Sequence, residues 1–196
     1  MQHFRYFIIH KPCGMLSQFT PESGHAVLGD LLEFPTDVYP VGRLDHDSEG
    51  LLLLTNDKKI NGLLLDPLKK HNRTYWVQVE GQVTREALLQ LEQGVQISID
   101  GKKHQTMPAK AKLIDPAPAV AERNPPIRFR KNIPTSWIEL TLHEGKNRQV
   151  RRMTAATGFP TLRMIRVKME NLLLDDLKVG EVEEVERVDV YKKLKL

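Results

Sequence analysis

The sequence predicts an α+β fold, with a mixed, mostly antiparallel sheet flanked by helices and loops. Strand-like segments come in runs, and the helical segments lie between them without the regular alternation of a doubly wound fold. Hydrophobic residues make up 40% and charged residues 28% of the 196 residues, which is typical of globular proteins. We therefore expect one folded unit over residues 1–196. Two subdomains that share one central sheet and a cleft are also compatible with this length.

The first half of the chain predicts three strands and two short helices. The strand segments are rich in aromatic, β-branched or leucine residues, and lie at 4–9, 38–41 and 51–55. The helical candidates are 27–34, stopped by Pro35, and 60–65, which follows the NDKK turn. A KPCG turn at 11–14, a loop containing TPESG, and the polar segment GRLDHDSEG at 42–50 separate these elements.

The second half predicts four strands and two helices around an irregular segment. The strands are 74–79, 137–143, 162–167 and 181–186. One helix, 84–93, has Thr84 as its cap and ends at Gly94, and the other, 149–157, ends at Gly158. The proline-rich segment 115–134 predicts a long irregular excursion, since proline interrupts both helices and strands.

The positive charge of the chain is local. Lys and Arg number 29 against 25 Asp and Glu, which gives a modest net charge of +4 and a pI near 9.1. Four basic residues lie within EGKNRQVRR at 144–152, whereas the segment 180–189 is acidic. A local basic surface of this kind is what contact with RNA phosphates requires.

Composition also indicates the compartment and argues against several classes of site. No apolar run is long enough to cross a bilayer, and the amino terminus lacks a signal-peptide core. The single cysteine, Cys13, fits a reducing cytoplasm and is interpreted as a packing or incidental residue. The seven histidines are scattered and there is no glycine-rich phosphate loop, so no metal and no cofactor are expected.

The segment GRLDHDSEGLLLLTND at 42–57 contains the strongest candidate for a catalytic group. It places Asp45 in a polar loop between two apolar strands, where a rigid scaffold could present the carboxylate to a cleft. The alternative is a surface loop in which Asp45, Asp47 and Ser48 only satisfy backbone groups. Spacing alone does not decide between the two.

These sixteen residues resemble the signature of the RsuA-like RNA pseudouridine synthases, and KPCG resembles the K-P-x-G motif of that family. The Asp of GRLD is the catalytic carboxylate of the family, so the resemblance implies this role for Asp45 and not for Asp47. It also implies the fold of the pseudouridine synthase catalytic domain.

Two more catalytic residues are implied by the resemblance. The family tyrosine matches Tyr75 in RTYWV, and the basic motif EGKNRQVRRM makes Arg151 the arginine of the active site. The alternatives are a buried aromatic side chain on a strand for Tyr75 and a solvated basic helix for Arg151. The resemblance further predicts that Arg151 forms an ion pair with Asp45.

The branch of the family that modifies a uridine in 23S (large-subunit) rRNA is the most similar, on the segments RNPPIRFRKNIPTSW at 123–137 and GFPTLRMIR at 158–166. As in that branch, no S4-like RNA-binding domain is expected. Arg73 and Lys146 depart from the common Lys and Arg of relatives but keep the charge. The predicted RNA-binding residues are basic or amide side chains: Lys11, Arg43, Arg73, Lys146, Asn147, Arg148, Gln149, Arg152, Arg163 and Arg166.

The implied activity is the isomerisation of a uridine to pseudouridine without cofactor or metal, by a monomer that acts on 23S rRNA and has no contact with membranes. Asp45 could act as a nucleophile or as a base, and both routes need its charged form. One rival is a non-catalytic RNA-binding module, which gives no reason for the set of Asp45, Tyr75 and Arg151. The other is a retaining glycoside hydrolase that uses clustered carboxylates such as Asp45, Asp47 and Glu49.

Overall fold

A computed structural model describes residues 3–127, 130 and 132–196. Arg128, Phe129 and Lys131, which belong to the segment 123–137 that resembles the 23S rRNA branch, lie outside the described residues. The chain divides into two compact units. The first contains the described residues up to His71 together with Ile165–Leu196, and the second is Asn72–Met164. A central sheet and a cleft shared by the two units stay predictions.

The first unit is built on strands β1 (Tyr6–Lys11) and β3 (Glu49–Thr55), which pair antiparallel. On its other side β1 pairs antiparallel with β11 (Val182–Glu184), and β3 also pairs with the two-residue strand β2 (Tyr39–Pro40). Glu49 and Gly50 of β3 pair in parallel with Ile165 and Arg166 of β9 (Thr161–Met169), which in turn pairs with β10 (Leu172–Leu173). The helices of this unit are α1 (Lys58–Leu65) and α4 (Arg187–Leu194).

All residues of β1 and β3 are buried, and Leu51, Leu52, Leu53 and Leu54 are 0% exposed. A strand that reads as a continuous apolar run is covered on both faces, which explains why 51–55 shows no alternation of polar and apolar residues. These buried strands give rigid support to the loop 42–48, which leads directly into β3.

The second unit is an antiparallel arrangement of β4 (Arg73–Glu80), β8 (Thr135–Leu142) and β7 (Lys110–Ile114). β4 and β8 pair over eight positions, from Arg73 opposite Leu142 to Glu80 opposite Thr135. A separate hairpin is formed by β5 (Gln96–Ile99) and β6 (Lys102–Gln105), and the helices are α2 (Arg85–Gln93) and α3 (Gln149–Ala156).

The α+β class and the mostly antiparallel sheet are confirmed, as is α2 with Thr84 as its cap. The helix predicted at 27–34 is wrong: only the single 3-10 turn Leu28–Asp30 forms. The Asp30 carboxylate accepts from the Val27 amide at 2.8 Å and closes the turn locally, while Pro35 disfavours helical conformation before it. The prediction also lacked β5, β6, β7, β10 and α4. No helix in the described part of the chain is long and apolar enough to cross a membrane.

A buried carboxylate joins the two ends of the first unit. Asp57 is 1% exposed and accepts hydrogen bonds from the hydroxyls of Tyr6 at 2.8 Å and Tyr191 at 2.7 Å. It also caps α1 by accepting from the Lys59 amide at 3.1 Å. Burial raises the pKa of Asp57, but these hydrogen bonds and the charge of Arg187 outweigh it, so the pKa lies below its ordinary value.

Asp57→Ala should therefore lower the free energy of unfolding by about 3 kcal/mol, because the helix loses its cap and two tyrosine hydroxyls lose their acceptor. A carboxyl pKa that is depressed in the folded state contributes stability above the unfolded value. That contribution is lost as pH falls through the folded pKa. Urea unfolding of the wild type and of Asp57→Asn at several pH values checks this, since the variant should lack this acid-dependent component.

Asp66→Ala is the matched control, because Asp66 caps the 3-10 helix Pro67–Lys69 through the Leu68 amide at 2.9 Å and, among the described residues, accepts from no tyrosine hydroxyl. It should cost about 1 kcal/mol or less. Equal losses in the two variants would show that the tyrosine contacts contribute nothing.

Candidate active site

Asp45 lies at the first position of a tight turn between β2 and β3. Its carbonyl oxygen accepts from the Ser48 amide at 3.0 Å, and its side chain is half-buried. Asp and Ser favour such turns because their short polar side chains tolerate the local backbone geometry. Leu44, just before the turn, is 6% exposed and Ser48, its last residue, is 0% exposed, so the turn begins and ends in the core.

The residue before Asp45 is held by a single hydroxyl. Ser17 Oγ donates to the carbonyl oxygen of Leu44 at 2.8 Å and accepts from the Leu44 amide at 3.0 Å. Both contacts are buried, so loss of the hydroxyl would leave two backbone groups unsatisfied. The approach of the chain to Asp45 is thereby fixed.

The residue after Asp45 is held by the KPCG turn. The carbonyl oxygen of His46 accepts from the Gly14 amide at 2.6 Å, and Lys11 Nζ lies 3.5 Å from the same oxygen. Lys11 Nζ also donates to the carbonyl oxygens of Pro12 at 2.9 Å and Met15 at 2.7 Å. The Lys11 ammonium therefore joins the KPCG turn to the loop that carries Asp45.

Lys11 is 0% exposed, and burial lowers the pKa of its ammonium to about 8. Electrostatic interactions with Cys13 and with the carboxylates of Glu49, Asp47 and Asp45 oppose this shift without cancelling it. A buried ammonium persists only where carbonyl oxygens and negative charges replace its water, and both are present here.

The glycine of S-x-GLLLL is required by close packing in the first unit. Gly50 has φ of +105°, and a Cβ at this position would collide with the backbone carbonyl of Arg166 in the neighbouring parallel strand. Arg166 is itself 4% exposed, and its Nε donates to the carbonyl oxygen of Leu51 at 2.8 Å. The strand that follows the Asp45 turn is thus locked against β9.

In the second unit, Tyr75 lies within β4, opposite Leu140 of β8, and is 8% exposed. Arg73 begins the same strand and is half-buried. A tyrosine inside an eight-residue ladder has a fixed backbone, and burial of its side chain restricts the ring as well.

The EGKNR loop before α3 is organised by a buried pair. Gln149, 4% exposed, donates to the Glu144 carboxylate at 2.7 Å and accepts from the Lys146 amide at 3.0 Å. Glu144 also accepts from the Met107 amide at 3.1 Å, and His104 Nε2 lies 2.6 Å away. Burial raises the pKa of Glu144, but these hydrogen bonds outweigh it and leave the pKa below its usual value.

The three arginines around the start of α3 have different environments. Arg148 is half-buried and occupies the position before the helix with φ of +49°. Arg151 is half-buried, and its Nε is fully buried. Arg152 donates from Nε to the Asn147 carbonyl at 3.1 Å and from Nη1 to the Ser98 carbonyl. Its guanidinium therefore connects the loop to the β5–β6 hairpin.

The predicted site residues fall in both units. Asp45, Lys11, Arg43 and Arg166 belong to the first unit, and the others belong to the second: Tyr75, Arg73, Lys146, Asn147, Arg148, Gln149, Arg151, Arg152 and Arg163. Within the first unit, the structure joins the Lys11 ammonium to the loop of Asp45. The predicted ion pair between Asp45 and Arg151 stays a prediction.

Four of the predicted RNA-binding residues are buried instead of exposed. Lys11 and Gln149 organise loops, Arg166 binds the Leu51 carbonyl, and Arg163 donates to the Ala121 carbonyl at 2.8 Å. Their aliphatic or amide portions fill the core while their polar atoms satisfy backbone groups. By contrast, Arg43, Lys146 and Asn147 are exposed.

Two residues that organise these loops, Ser17 and Glu144, are not indicated by any motif of the sequence. Ser17 contacts a residue 27 positions away, and no local pattern indicates such a contact. Glu144 belongs to the basic motif EGKNRQVRR, and the motif predicts no separate role for it. A lone acid among basic residues could have drawn attention to an internal hydrogen-bond acceptor. In the described residues, no three His, Cys, Asp or Glu side chains are grouped so that they could hold a metal ion.

Comparison with known proteins agrees with these observations. A family model for RNA pseudouridylate synthases matches residues 5–156. The chain is 48% identical over 186 residues to the ribosomal large subunit pseudouridine synthase E of Vibrio parahaemolyticus, which covers 95% of this chain and 76% of the relative. It is 51% identical over 172 residues to the protein of the same name from Xanthomonas axonopodis pv. citri, covering 87% and 88% of the two chains.

A solved structure described as a pseudouridylate synthase superposes with a TM-score of 0.80 at 25% identity, over 98% of this chain and 75% of that chain. The predicted resemblance is therefore confirmed at the level of sequence and of fold. Since the family model spans well over half of the residues, the chain belongs to the RNA pseudouridylate synthase family of enzymes.

Proposed function

We propose that this enzyme isomerises one uridine of 23S rRNA to pseudouridine, with Asp45 as the essential carboxylate and without a cofactor. It acts as a monomer in the cytoplasm. The relatives named as large subunit synthases support the choice of RNA. The observation that carries the assignment of Asp45 is the fixation of its loop on both sides.

Fixation matters because a catalytic group held in its reactive geometry avoids an entropic cost during the reaction. Ser17 holds the residue before Asp45, Lys11 and Gly14 hold the residue after it, and Ser48 closes the turn. A surface loop that only satisfied its own backbone would not need a buried ammonium. The geometry therefore favours the catalytic interpretation of Asp45.

The proposed reaction conserves all atoms. The bond between C1′ of the ribose and N1 of the uracil breaks, the base turns, and C1′ joins C5. C5 loses its proton and N1 gains one, so no electrons are exchanged with any partner. Asp45 acts either as the nucleophile at C1′ or as the base that removes a ribose proton, and both roles need a carboxylate.

Tyr75 and Arg151 complete the proposed site. Tyr75 stacks on the turned-out uracil and assists removal of the C5 proton, which its fixed place on β4 supports. Arg151 pairs with Asp45 and orients it until the RNA arrives, which its half-buried guanidinium supports. A planar guanidinium suits this role better than an ammonium, because it can hold both carboxylate oxygens.

We propose that the RNA backbone is bound by the basic and amide side chains that are at least partly exposed: Arg43, Arg73, Lys146, Asn147, Arg148 and Arg152. The four buried residues, Lys11, Gln149, Arg163 and Arg166, bind backbone or side-chain groups inside the protein instead. This division separates residues that touch phosphates from residues that position the loops, and the two classes differ in what their loss should change.

Asp45→Asn should abolish turnover and leave RNA affinity within about twofold, because the amide keeps the shape of the side chain and removes its charge. Release of tritium from 23S rRNA labelled at C5 of uridine measures turnover, and filter binding measures affinity. Asp47→Asn, two residues along the same turn, is the matched control and should retain turnover. Measurable isomerisation by Asp45→Asn would remove Asp45 from the mechanism.

Lys11→Met should lower kcat by about tenfold or more while RNA affinity changes little, because the buried ammonium positions the Asp45 loop and does not reach solvent. Methionine fills a similar volume without donating hydrogen bonds. Single-turnover kinetics, RNA binding and a melting curve on the same preparation separate loss of positioning from loss of fold.

Arg43→Met tests the opposite role in the same loop, since Arg43 is exposed. It should weaken affinity and reduce the slope of log affinity against log salt by about 0.7 to 0.9. If Lys11→Met behaves like Arg43→Met, with weakened affinity and normal chemistry, Lys11 binds phosphate and its positioning role is wrong.

Tyr75→Phe should keep binding and slow the release of tritium by about a hundredfold, since stacking survives while the hydroxyl that assists proton removal is lost. Tyr39→Phe, an exposed tyrosine of the first unit, is the control. Equal rates for Tyr75→Phe and the wild type would leave Tyr75 as a packing residue of the strand.

A further inference from the structure

The segment between β1 and the Asp45 loop is ordered by its own contacts. Leu16 donates its amide to the carbonyl of Ala26 at 2.8 Å, and Leu28 donates to the carbonyl of Gln18 at 2.9 Å. These bonds close the base of an excursion over residues 16–28. The residues at its tip, 20–26, are all exposed.

This excursion carries His25 to the ring of His46. The two ring centroids are 5.5 Å apart with an angle of 47° between the planes, and both residues are exposed. His25 is fixed by its amide, which donates to the Glu22 carbonyl at 3.0 Å. His46 is fixed by its carbonyl, which accepts from Gly14 at 2.6 Å. The backbone of both residues is therefore held by hydrogen bonds. His46 directly follows Asp45 in the chain, and the His25 ring lies against the His46 ring.

We propose that His25 and His46 form an aromatic platform for an unpaired nucleobase of the RNA next to the target uridine. Because the two rings are tilted by 47°, the base stacks flat on one ring and meets the other at an angle. The proposal rests on the function proposed above. A uridine that leaves the RNA stack deprives its neighbours of a stacking partner, and aromatic side chains can replace it. Since His46 follows Asp45 in the chain, the pair is one residue from the carboxylate that must reach the uridine.

Charge around the pair favours a base over a phosphate. Glu22 lies at the tip and accepts from Gln18 Nε2 at 3.0 Å, and Asp45 and Asp47 flank His46 in the turn. The nearby Lys11 ammonium is buried and occupied by carbonyl oxygens. A phosphate seated on the two rings would therefore meet the carboxylates of Glu22, Asp45 and Asp47, whereas the flat and neutral face of a base would not. The exposed Arg43 of the same loop then remains available for the RNA backbone, as proposed above.

Kinetics on 23S rRNA tritiated at C5 of uridine test the platform. His25→Ala and His46→Ala should each raise KM more than they lower kcat, and the double variant should raise KM by at least about fivefold, since one stacked base contributes at least ~1 kcal/mol. The double variant His25→Phe with His46→Phe should restore KM, because phenylalanine keeps an aromatic face for stacking. Phenylalanine carries no charge and no hydrogen-bond donor, so such a recovery is due to stacking. His3→Ala, an exposed histidine of the same unit, should match the wild type.

A direct readout uses a short RNA with 2-aminopurine on either side of the modified uridine. Its fluorescence should be quenched by the wild type and by the double Phe variant, and not by the double Ala variant. Failure of the Phe pair to rescue KM overturns stacking in favour of charge or hydrogen bonding. Wild-type KM in the double Ala variant also overturns it, while the proposed function stands as long as Asp45→Asn is inactive and the wild type turns over.

Discussion

A buried ammonium is the constraint on which the first unit depends. Removing the charge of Lys11 from water costs several kcal/mol, so it is tolerated only where oxygens surround it. The carbonyls of Pro12, Met15 and His46 supply these oxygens, and they belong to two segments more than thirty residues apart in the chain. The long contact of 3.5 Å to the His46 carbonyl and the Gly14 amide at 2.6 Å on the same oxygen therefore together fix the turn that presents Asp45. Structure and proposed chemistry share this one interaction, which explains why a lysine occupies a position without solvent.

The fold could be predicted wherever local pattern and burial agree. Continuous leucines marked β3, and Thr84 with Gly94 marked the limits of α2. The β5–β6 hairpin was missed although Asp100 and Gly101, both with positive φ, form the two-residue turn that such hairpins favour. The helix α4 was missed because the acidic segment before it dominated the interpretation, and its apolar contacts at Val190 and Leu194 are sparse. The hairpin therefore follows from a local turn signal, whereas α4 depends on the burial of Val190 and Leu194, which only the folded chain shows.

The candidate site was predicted by motif and not by geometry. Spacing left Asp45 open between a turn residue and a catalytic acid, and only the resemblance separated them. The sequence could not predict the roles of four buried residues, because a basic or amide side chain is expected to be exposed until its burial is known. These residues are Lys11, Gln149, Arg163 and Arg166. The role of Ser17 could not be predicted either, because its partner Leu44 is distant in the chain. The sequence therefore did not predict the buried contacts that hold the candidate site residues in position.

The proposed conversion of one uridine of 23S rRNA through Asp45 can be tested with a map of the pseudouridines made in cells. Ribosomal RNA from a strain that lacks the gene is compared with RNA from the same strain supplied with the wild-type chain or with Asp45→Asn, expressed at equal levels. We expect one pseudouridine of 23S rRNA to disappear on deletion and to return only with the wild type. An unchanged 23S map, or restoration by Asp45→Asn, would contradict it.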